Sequence, residues 1–174
     1  GGAIYGAPKH LPATEDVRPQ PLSLYGTAKL CGEEYIHAYG RIFGLRYTIL
    51  RLPNVYGPRQ SPHGEAGVCS ILIGKMLAGE TPVLFGHGKP VRDYVYVLDV
   101  VDAFIRAMTR GDGGTYNIGS SKATTVQELF DTLSALIGFN GKPELKNLRP
   151  GEVEAITISK ERAAQGLGWS QKCR

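Results

Sequence analysis

Two residues in the first part of the chain have the types and the spacing of a proton-transfer pair. Tyr25 and Lys29 lie four positions apart within a predicted helix, so their side chains share one helical face. A phenol ordinarily has a pKa of about 10, and a nearby fixed cation favours its ionised form. Tyr25 is therefore predicted to act as a general base or acid with the help of Lys29. Because this spacing also occurs on ordinary solvated helix faces, the pair needs further support.

The elements around this pair alternate between helices and strands, which predicts an α/β fold. The apolar patterns predict helices at residues 24–43, 66–78, 98–110 and 125–138, and strands at residues 46–52, 81–85, 92–97 and 116–119. The strand at 46–52 ends at Pro53 and Asn54, and ligands of open α/β sheets bind at the carboxyl ends of strands. These two residues are thus candidates for ligand contact.

Packing and charge give further expectations for the same elements. In the helix at 24–43, which Gly44 is predicted to end, the predicted core face consists of Leu30, Tyr35, Ile36 and Tyr39. Glu15 and Asp16, in a proline-rich loop, are predicted to be exposed. The predicted roles of Asp93 and Asp99 are structural, with Asp99 favoured by its place in the first turn of a helix.

The composition excludes several function classes. The chain has 174 residues, of which 42% are hydrophobic and 21% charged, as in an ordinary soluble globular protein. Because it has no apolar run of 18 residues and no signal-peptide pattern, no contact with a membrane is predicted. The net charge of +4 comes from scattered basic residues, so nucleic-acid binding is not expected.

The cysteines argue for a reducing compartment. Cys31, Cys69 and Cys173 are odd in number and have no Cys-x-x-Cys spacing, which disfavours a disulfide framework and a zinc site. The histidines also lack metal-ligand spacing, so no metal is predicted. A cytoplasmic location fits this cysteine usage.

Two further motifs flank the Tyr25 helix. AIYG at residues 3–6 precedes it and NVYGPR at residues 54–59 follows it. In this order the three motifs resemble the extended short-chain dehydrogenase/reductases, the NAD-dependent epimerase/dehydratase family, and most closely its UDP-glucose 4-epimerase branch. The resemblance covers nearly the whole chain.

The resemblance implies a fold class and a division of the chain. It implies the C-terminal portion of a Rossmann-like, doubly wound parallel α/β sheet together with a smaller α/β substrate-binding domain. Residues 1–60 would belong to the NAD-binding domain. Residues 61–174 would mainly form the sugar-nucleotide-binding region, with residues 92–119 partly returning to the first domain.

The resemblance also implies a reaction that uses NAD as cofactor. The C4 hydroxyl of a UDP-hexose would be oxidised transiently to a 4-keto sugar, and hydride would then return to the opposite face. Tyr25 would remove and restore the hydroxyl proton, and Lys29 would assist it and hold the nicotinamide ribose. Pro53 would border the nicotinamide.

Other residues match the family's contacts to the UDP-sugar. Arg92 and Arg149 correspond to arginines that hold the diphosphate, as guanidinium forks do well. Asn54 would donate to the phosphate or hexose, or alternatively only cap a strand end. Phe85 would lie against the uracil, or alternatively be a core aromatic. The remaining contacts would be Glu152 with the ribose and the backbone amides of Gly67 and Val68 with the nucleotide.

The chain departs from the family pattern in its first residues. The Ser or Thr of the family's catalytic triad corresponds to Gly1, and no glycine-rich cofactor fingerprint is present. We therefore expect an internal fragment that is inactive alone, derived from a parent that is a homodimer by resemblance. Gly2 and Ala3 stand where dehydratases carry an Asp-Glu pair, which favours an epimerase. Another sugar-nucleotide dehydratase or reductase, or a noncatalytic binding module, are the alternatives.

Overall fold

The computed structural model describes residues 2–63 and 67–173, and this part of the chain has the predicted α/β architecture. A short 3-10 helix at Gly2–Tyr5 precedes the first α-helix. The α-helices are α1 (Leu24–Phe43), α2 (Val68–Leu77), α3 (Val97–Ala107), α4 (Val126–Ile137) and α5 (Glu161–Leu167). The strands are β1 (Ile49–Arg51), β2 (Asn54–Tyr56), β3 (Val83–Phe85), β4 (Val91–Arg92), β5 (Tyr94–Tyr96), β6 (Thr115–Asn117), β7 (Thr124–Thr125) and β8 (Glu144–Lys146). Of the described helices, none is long and apolar enough to cross a membrane.

The strands form two-stranded pairs, most of them parallel. β1 pairs with β6, β2 with β5 and β3 with β8 in parallel, whereas β4 and β7 are antiparallel. Pro53 has no backbone N–H and interrupts the ladder after β1, and the chain then pairs with a different strand from Asn54 onward. The strand predicted at 46–52 is therefore shorter than expected and continues as a second strand beyond the proline.

Local capping explains where two of the helices begin and end. The Ser23 hydroxyl accepts a hydrogen bond from the Gly26 amide at 3.1 Å, and Gly44 ends α1 in the left-handed conformation. Thr125 and Glu128 form a capping box at the start of α4. The limits predicted for α1 are confirmed. The predicted first residue of α2, Ala66, lies outside the described residues.

The buried apolar side chains form three clusters. The first lies between β5, β6, α3 and α5 and includes Trp169; the second joins Ile4 and Tyr5 to Ile158; the third lies between α2 and α4 around Leu72 and Phe130. Parallel strand pairs covered by helices bury apolar side chains in this way. The second cluster underlies the candidate site described below.

The prediction for the core face of α1 is wrong. Tyr35 is 70% exposed and Tyr39 53% exposed, while the buried residues of this fully described helix are Gly26 and Glu33. Only Leu30 of the predicted face packs against a core cluster. An apolar stripe along a helix predicts a surface that is buried in an interface. It does not show whether residues of this chain or another molecule cover that surface.

Two expectations for carboxylates are also corrected. The Glu15 side chain is only 2% exposed, because it accepts a hydrogen bond from the Asn117 backbone amide at 2.7 Å. Asp99 is structural as predicted, but its carboxylate accepts from the amides of Lys172 and Cys173 and not from its own helix. In both cases the partner is more than 70 residues away in the sequence.

The predictions also omitted elements in the second half of the chain. β7, β8 and α5 have two, three and seven residues, respectively. Such short segments contain too few residues for a clear apolar period.

Candidate functional site

A cavity of about 440 Å³ lies beside the carboxyl end of β1 and the first turn of α1. Its walls come from the 3-10 helix, α1, the β1–β2 junction, β4 and the segment before α5. The predicted site residues that line it are Tyr25, Pro53, Asn54, Arg92, Arg149 and Glu152. These residues span more than 120 positions of sequence, so folding brings most of the predicted site into one place.

A second cavity of about 230 Å³ adjoins the first. Gly67, Val68 and Phe85 line it, together with four residues that line both cavities, namely Asn54, Arg92, Arg149 and Glu152. Gly67 is the N-cap of α2, and the helix begins at Val68. The start of this helix therefore lies at the second cavity, and the free backbone amides of a helix start favour anions.

Tyr25 and Lys29 are adjacent on α1, as the four-residue spacing predicted. The Lys29 ammonium nitrogen lies 5.1 Å from the centre of the Tyr25 ring, and the tyrosine is 52% exposed. Tyr25 lines the larger cavity, whereas Lys29 is exposed and is not among the lining residues. Ser23, which the sequence arguments did not single out, also lines this cavity and caps the helix that carries Tyr25.

The β1–β2 junction is held by contacts to Asp93. Asn54 donates from its backbone N–H at 3.0 Å and from its side-chain amide at 3.1 Å to the Asp93 carbonyl. Asn54 thus anchors the strand end, as in the alternative interpretation, and also lines both cavities. The Asp93 carboxylate accepts from Ser120, Ser121 and Ile158. Burial raises the pKa of Asp93, and these hydrogen bonds oppose that rise.

Three predicted ligand residues contact one another in the second cavity. The Arg149 guanidinium lies 4.4 Å from the centre of the Phe85 ring and donates from Nε to Glu152 at 2.8 Å. Phe85 is half-buried, so its ring belongs to the cavity wall and is not enclosed in the core. An aromatic ring in a cavity wall offers one face on which a planar base can stack.

Arg92 is more buried than Arg149. Arg92 donates from Nη1 to the carbonyl of Val91 at 2.9 Å. Burial lowers the pKa of Arg92, and the charge of Glu152 opposes this. A guanidinium remains protonated in proteins at neutral pH, so Arg92 keeps its charge. Arg92 and Arg149 together with Glu152 therefore leave an excess of positive charge where the two cavities meet.

A buried polar network, which was not predicted from the sequence, lies beside the site. Arg51 on β1 donates from Nη2 and Nε to the carboxylate of Glu33 on α1, at 2.7 and 3.1 Å. Its Nη1 donates to the Tyr5 hydroxyl at 2.8 Å, which in turn donates to the Asn117 side chain at 2.8 Å. Burial raises the pKa of Tyr5, and Arg51 opposes this. An arginine within an apolar strand and a glutamate four positions after Lys29 were the available signals.

Gly1, the position that corresponds to the family's triad hydroxyl, lies outside the residues that the structure describes. Among the residues that are described, no group of three or more His, Cys, Asp or Glu side chains could hold a metal ion. The cysteines are free thiols, exposed at Cys31, buried at Cys69 and half-buried at Cys173.

Comparison with known proteins adds a family and several relatives. The profile described as "NAD dependent epimerase/dehydratase family" matches residues 1–119. A putative UDP-glucose 4-epimerase of Methanocaldococcus jannaschii is 48% identical over 97% of this chain, which covers 55% of that relative. The chain thus spans about half the length of the curated relatives it matches.

Solved structures agree with this match. A UDP-glucose 4-epimerase of Thermotoga maritima in complex with UDP-glucose superposes with a TM-score of 0.96 at 46% identity, with 100% of this chain and 57% of that chain covered. A UDP-glucose 4-epimerase of Thermus thermophilus in complex with NAD gives a TM-score of 0.91 at 37% identity, covering 99% and 57%. The predicted fold class, a Rossmann-like α/β portion with parallel strands, is confirmed by these similarities and by the strand pairing.

Proposed function

Because the chain belongs to the NAD-dependent epimerase/dehydratase family, we propose that it is the proton-transferring and substrate-binding part of an enzyme that epimerises a UDP-hexose at C4. The observation that carries this proposal is the convergence of Tyr25 with Asn54, Arg92 and Arg149 around one cavity. A proton-transfer group and two guanidinium groups in one cleft suit a substrate with both a reactive hydroxyl and a diphosphate.

In this proposal the chemistry at C4 depends on one proton and one hydride. NAD, when bound, accepts the hydride and returns it. The ionised Tyr25 phenolate takes the proton of the C4 hydroxyl as the 4-keto sugar forms, and the resulting phenol gives it back as the hydroxyl is restored. Lys29, whose ammonium lies beside the Tyr25 ring, favours the ionised phenol during this exchange. The residues proposed to contact the nicotinamide and its ribose are Tyr25, Lys29 and Pro53.

The UDP part of the substrate would extend into the second cavity. Arg92 and Arg149 would bind the diphosphate, and the amides at Gly67 and Val68 would donate to the nucleotide. Phe85 would stack on the uracil, which requires Arg149 to leave the ring face that it occupies in this structure. Glu152 would then exchange its contact with Arg149 for the ribose hydroxyls. Asn54, which lines both cavities, would contact the phosphate or the hexose between them.

The division of the chain follows the same proposal. Residues 1–60 would belong to the NAD-binding domain and residues 61–174 mainly to the sugar-nucleotide-binding region. The pairing of β6 with β1 and of β5 with β2 supports the return of residues 92–119 to the first domain. We also propose that the parent is a cytoplasmic homodimer, because the cysteines are free and α1 exposes an apolar face.

Binding of UDP to the 174-residue chain tests the substrate half of the proposal. Charged hydrogen bonds contribute about 1.5–3 kcal/mol, so Arg149→Gln is expected to weaken UDP binding by about 10- to 100-fold in isothermal titration calorimetry. Arg46→Gln is the matched control, because Arg46 is 83% exposed and pairs with Asp112 away from both cavities. Equal affinity of the wild type and Arg149→Gln would contradict the proposed diphosphate site.

Turnover tests the catalytic half and separates the alternatives. In a parent chain that includes the cofactor-binding segment, UDP-glucose is expected to give UDP-galactose. Tyr25→Phe is expected to lower kcat by about 10²- to 10⁴-fold while UDP binding is retained. A parent that binds UDP without any turnover would identify a noncatalytic binding module. Loss of water from the sugar, or net reduction, would identify a dehydratase or a reductase.

A further inference from the structure

The helix that carries Tyr25 is held by few buried contacts. Of the twenty residues of α1, all of which the structure describes, Gly26 and Glu33 are buried. Gly26 lies against the Ala3 carbonyl, where an added methyl group would come within 2.7 Å of the oxygen. Glu33 is one of the residues spaced four apart after Tyr25 and Lys29 on the same side of the helix. Leu30 packs against the second cluster and the His37 ring is hydrogen-bonded to Tyr47 at 2.9 Å, so Glu33 is the buried polar contact in the middle of the helix and not its only attachment.

The partner of Glu33 comes from the opposite wall of the cavity. Arg51 is the last residue of β1, and Pro53, which follows two residues later, lines the cavity. The side chains of Arg51 and Glu33 are 7% and 9% exposed, and their planar groups share more than one hydrogen bond. A guanidinium fork on a carboxylate fixes distance and orientation together, so this pair sets where α1 lies relative to β1.

The same guanidinium also reaches the third wall. Its Nη1 donates to Tyr5 at 2.8 Å, on the 3-10 helix whose Gly2 and Ala3 line the cavity. Tyr5 then donates to Asn117, which is the register partner of Arg51 across the β1–β6 pair. One charged group thus connects the helix, strand and 3-10 helix that surround the candidate proton-transfer site.

We propose that Arg51 and Glu33 are positioning residues that hold Tyr25 and Lys29 in register with the β1–β2 junction. This inference rests on the proposed function. Buried ion pairs contribute little net stability, and replacing both partners with apolar residues is often neutral or stabilising. The pair therefore serves to position the helix rather than to stabilise the fold. Accurate positioning matters because a displacement of about 1 Å in a catalytic group can lower the rate about 10²-fold. Neither residue lines the cavities, so neither is proposed to touch the substrate.

The test replaces both charges at once, which leaves no unpaired buried ion. In the double variant Arg51→Met/Glu33→Leu, the thermal midpoint of the 174-residue chain is expected to be retained. Amide hydrogen exchange in α1 is expected to accelerate by about tenfold or more, while exchange in α4 stays unchanged. In the parent chain, kcat is expected to fall by about 10- to 100-fold with KM for the UDP-sugar within about twofold.

A matched control replaces the Lys75–Glu80 pair, whose side chains are 38% and 60% exposed. Lys75→Met/Glu80→Leu is expected to leave α1 exchange and kcat unchanged. Loss of folding in the Arg51/Glu33 double variant, or unchanged α1 exchange, or unchanged kcat, would overturn the positioning role. A parent chain without activity would contradict the proposed reaction instead. Amide hydrogen exchange in α1 of the wild type and the double variant would still show whether the Arg51–Glu33 pair fixes the helix.

Discussion

At the scale of single residues, Asp93 shows how much of this site depends on one buried carboxylate. It accepts from the amides of Ser120, Ser121 and Ile158 and from the Ser120 hydroxyl, at 2.6 to 3.2 Å. Its backbone carbonyl also accepts a hydrogen bond from the Asn54 side-chain amide. Asp93 thereby joins the β4–β5 junction to two loops that approach it from elsewhere in the sequence.

Asp93→Ala is expected to lower the free energy of unfolding by about 3 kcal/mol or more, because it leaves several buried donors without an acceptor. Urea denaturation of the 174-residue chain measures this change. Asp131→Ala is the control, since Asp131 is exposed on α4 and only accepts from Gln127. A loss for Asp93→Ala no larger than for the control would contradict the structural role of Asp93.

The cysteines differ in reactivity for a physical reason. Burial raises the pKa of Cys69 to about 11, so at a pH of about 8 roughly a thousandth of this thiol is ionised. Cys31 is exposed on α1. Iodoacetamide at this pH is therefore expected to alkylate Cys31 well before Cys69, with Cys69 reacting only after denaturation. Peptide mass spectrometry assigns the sites, and rapid alkylation of Cys69 in the native chain would contradict its burial.

At the scale of elements, the start of α1 is defined by a close approach of two backbones. Gly26 packs against the Ala3 carbonyl and the Pro21 side chain, so any larger residue pushes the helix away from the 3-10 helix. Gly32 on the same helix has no atom within 4 Å of where a methyl group would be. The two glycines have the same helix propensity, but only Gly32 has room around it for a methyl group.

Gly26→Ala is expected to destabilise the chain by about 1–3 kcal/mol, because it overpacks a tight contact. Gly32→Ala is expected to stabilise it by about 0.5–1 kcal/mol, the usual gain for alanine inside a helix. Thermal or urea unfolding of both variants gives the comparison. A stabilising Gly26→Ala would show that the contact with Ala3 is looser than the structure indicates.

At the scale of the whole molecule, α1 presents an apolar surface to solvent. Tyr35, Tyr39, Ile42 and Phe43 follow helical spacing and are 53% to 71% exposed. Contiguous exposed apolar residues of this kind are typical of protein interfaces. This surface faces away from the core clusters, so it is available to a second copy without disturbing the candidate site.

The proposed homodimer predicts the effect of charge on this surface. Tyr35→Glu/Ile42→Glu in the parent protein is expected to convert a dimer to a monomer, because two buried carboxylates in the interface are costly. Size-exclusion chromatography with light scattering measures the mass. Leu136→Glu is the control, since Leu136 is 78% exposed on α4. A parent that is monomeric, or a variant that remains dimeric, would contradict an α1 interface.

Sequence patterns alone determined the features that depend on neighbouring residues. The limits of α1 were predicted from its apolar pattern and from the glycine that ends it, and the Tyr25–Lys29 contact follows from the helical repeat. The apolar spacing also predicted the helix at residues 125–138, which forms α4 and packs against the third cluster. The Tyr25 helix and its two flanking motifs identified the family, because they preserve residue types at fixed local spacing.

Only the tertiary structure decided the features that depend on distant partners. Glu33 is buried because Arg51 lies opposite it, Glu15 is buried because Asn117 donates to it, and the aromatic residues of α1 stay exposed. The convergence of Tyr25 with Arg149 on one cavity likewise depends on the path of the chain between them. A sequence pattern indicates which face of a helix or strand is apolar and which is polar over a few turns. Which group satisfies a buried charge, or covers an apolar face, is determined when segments far apart in sequence pack together.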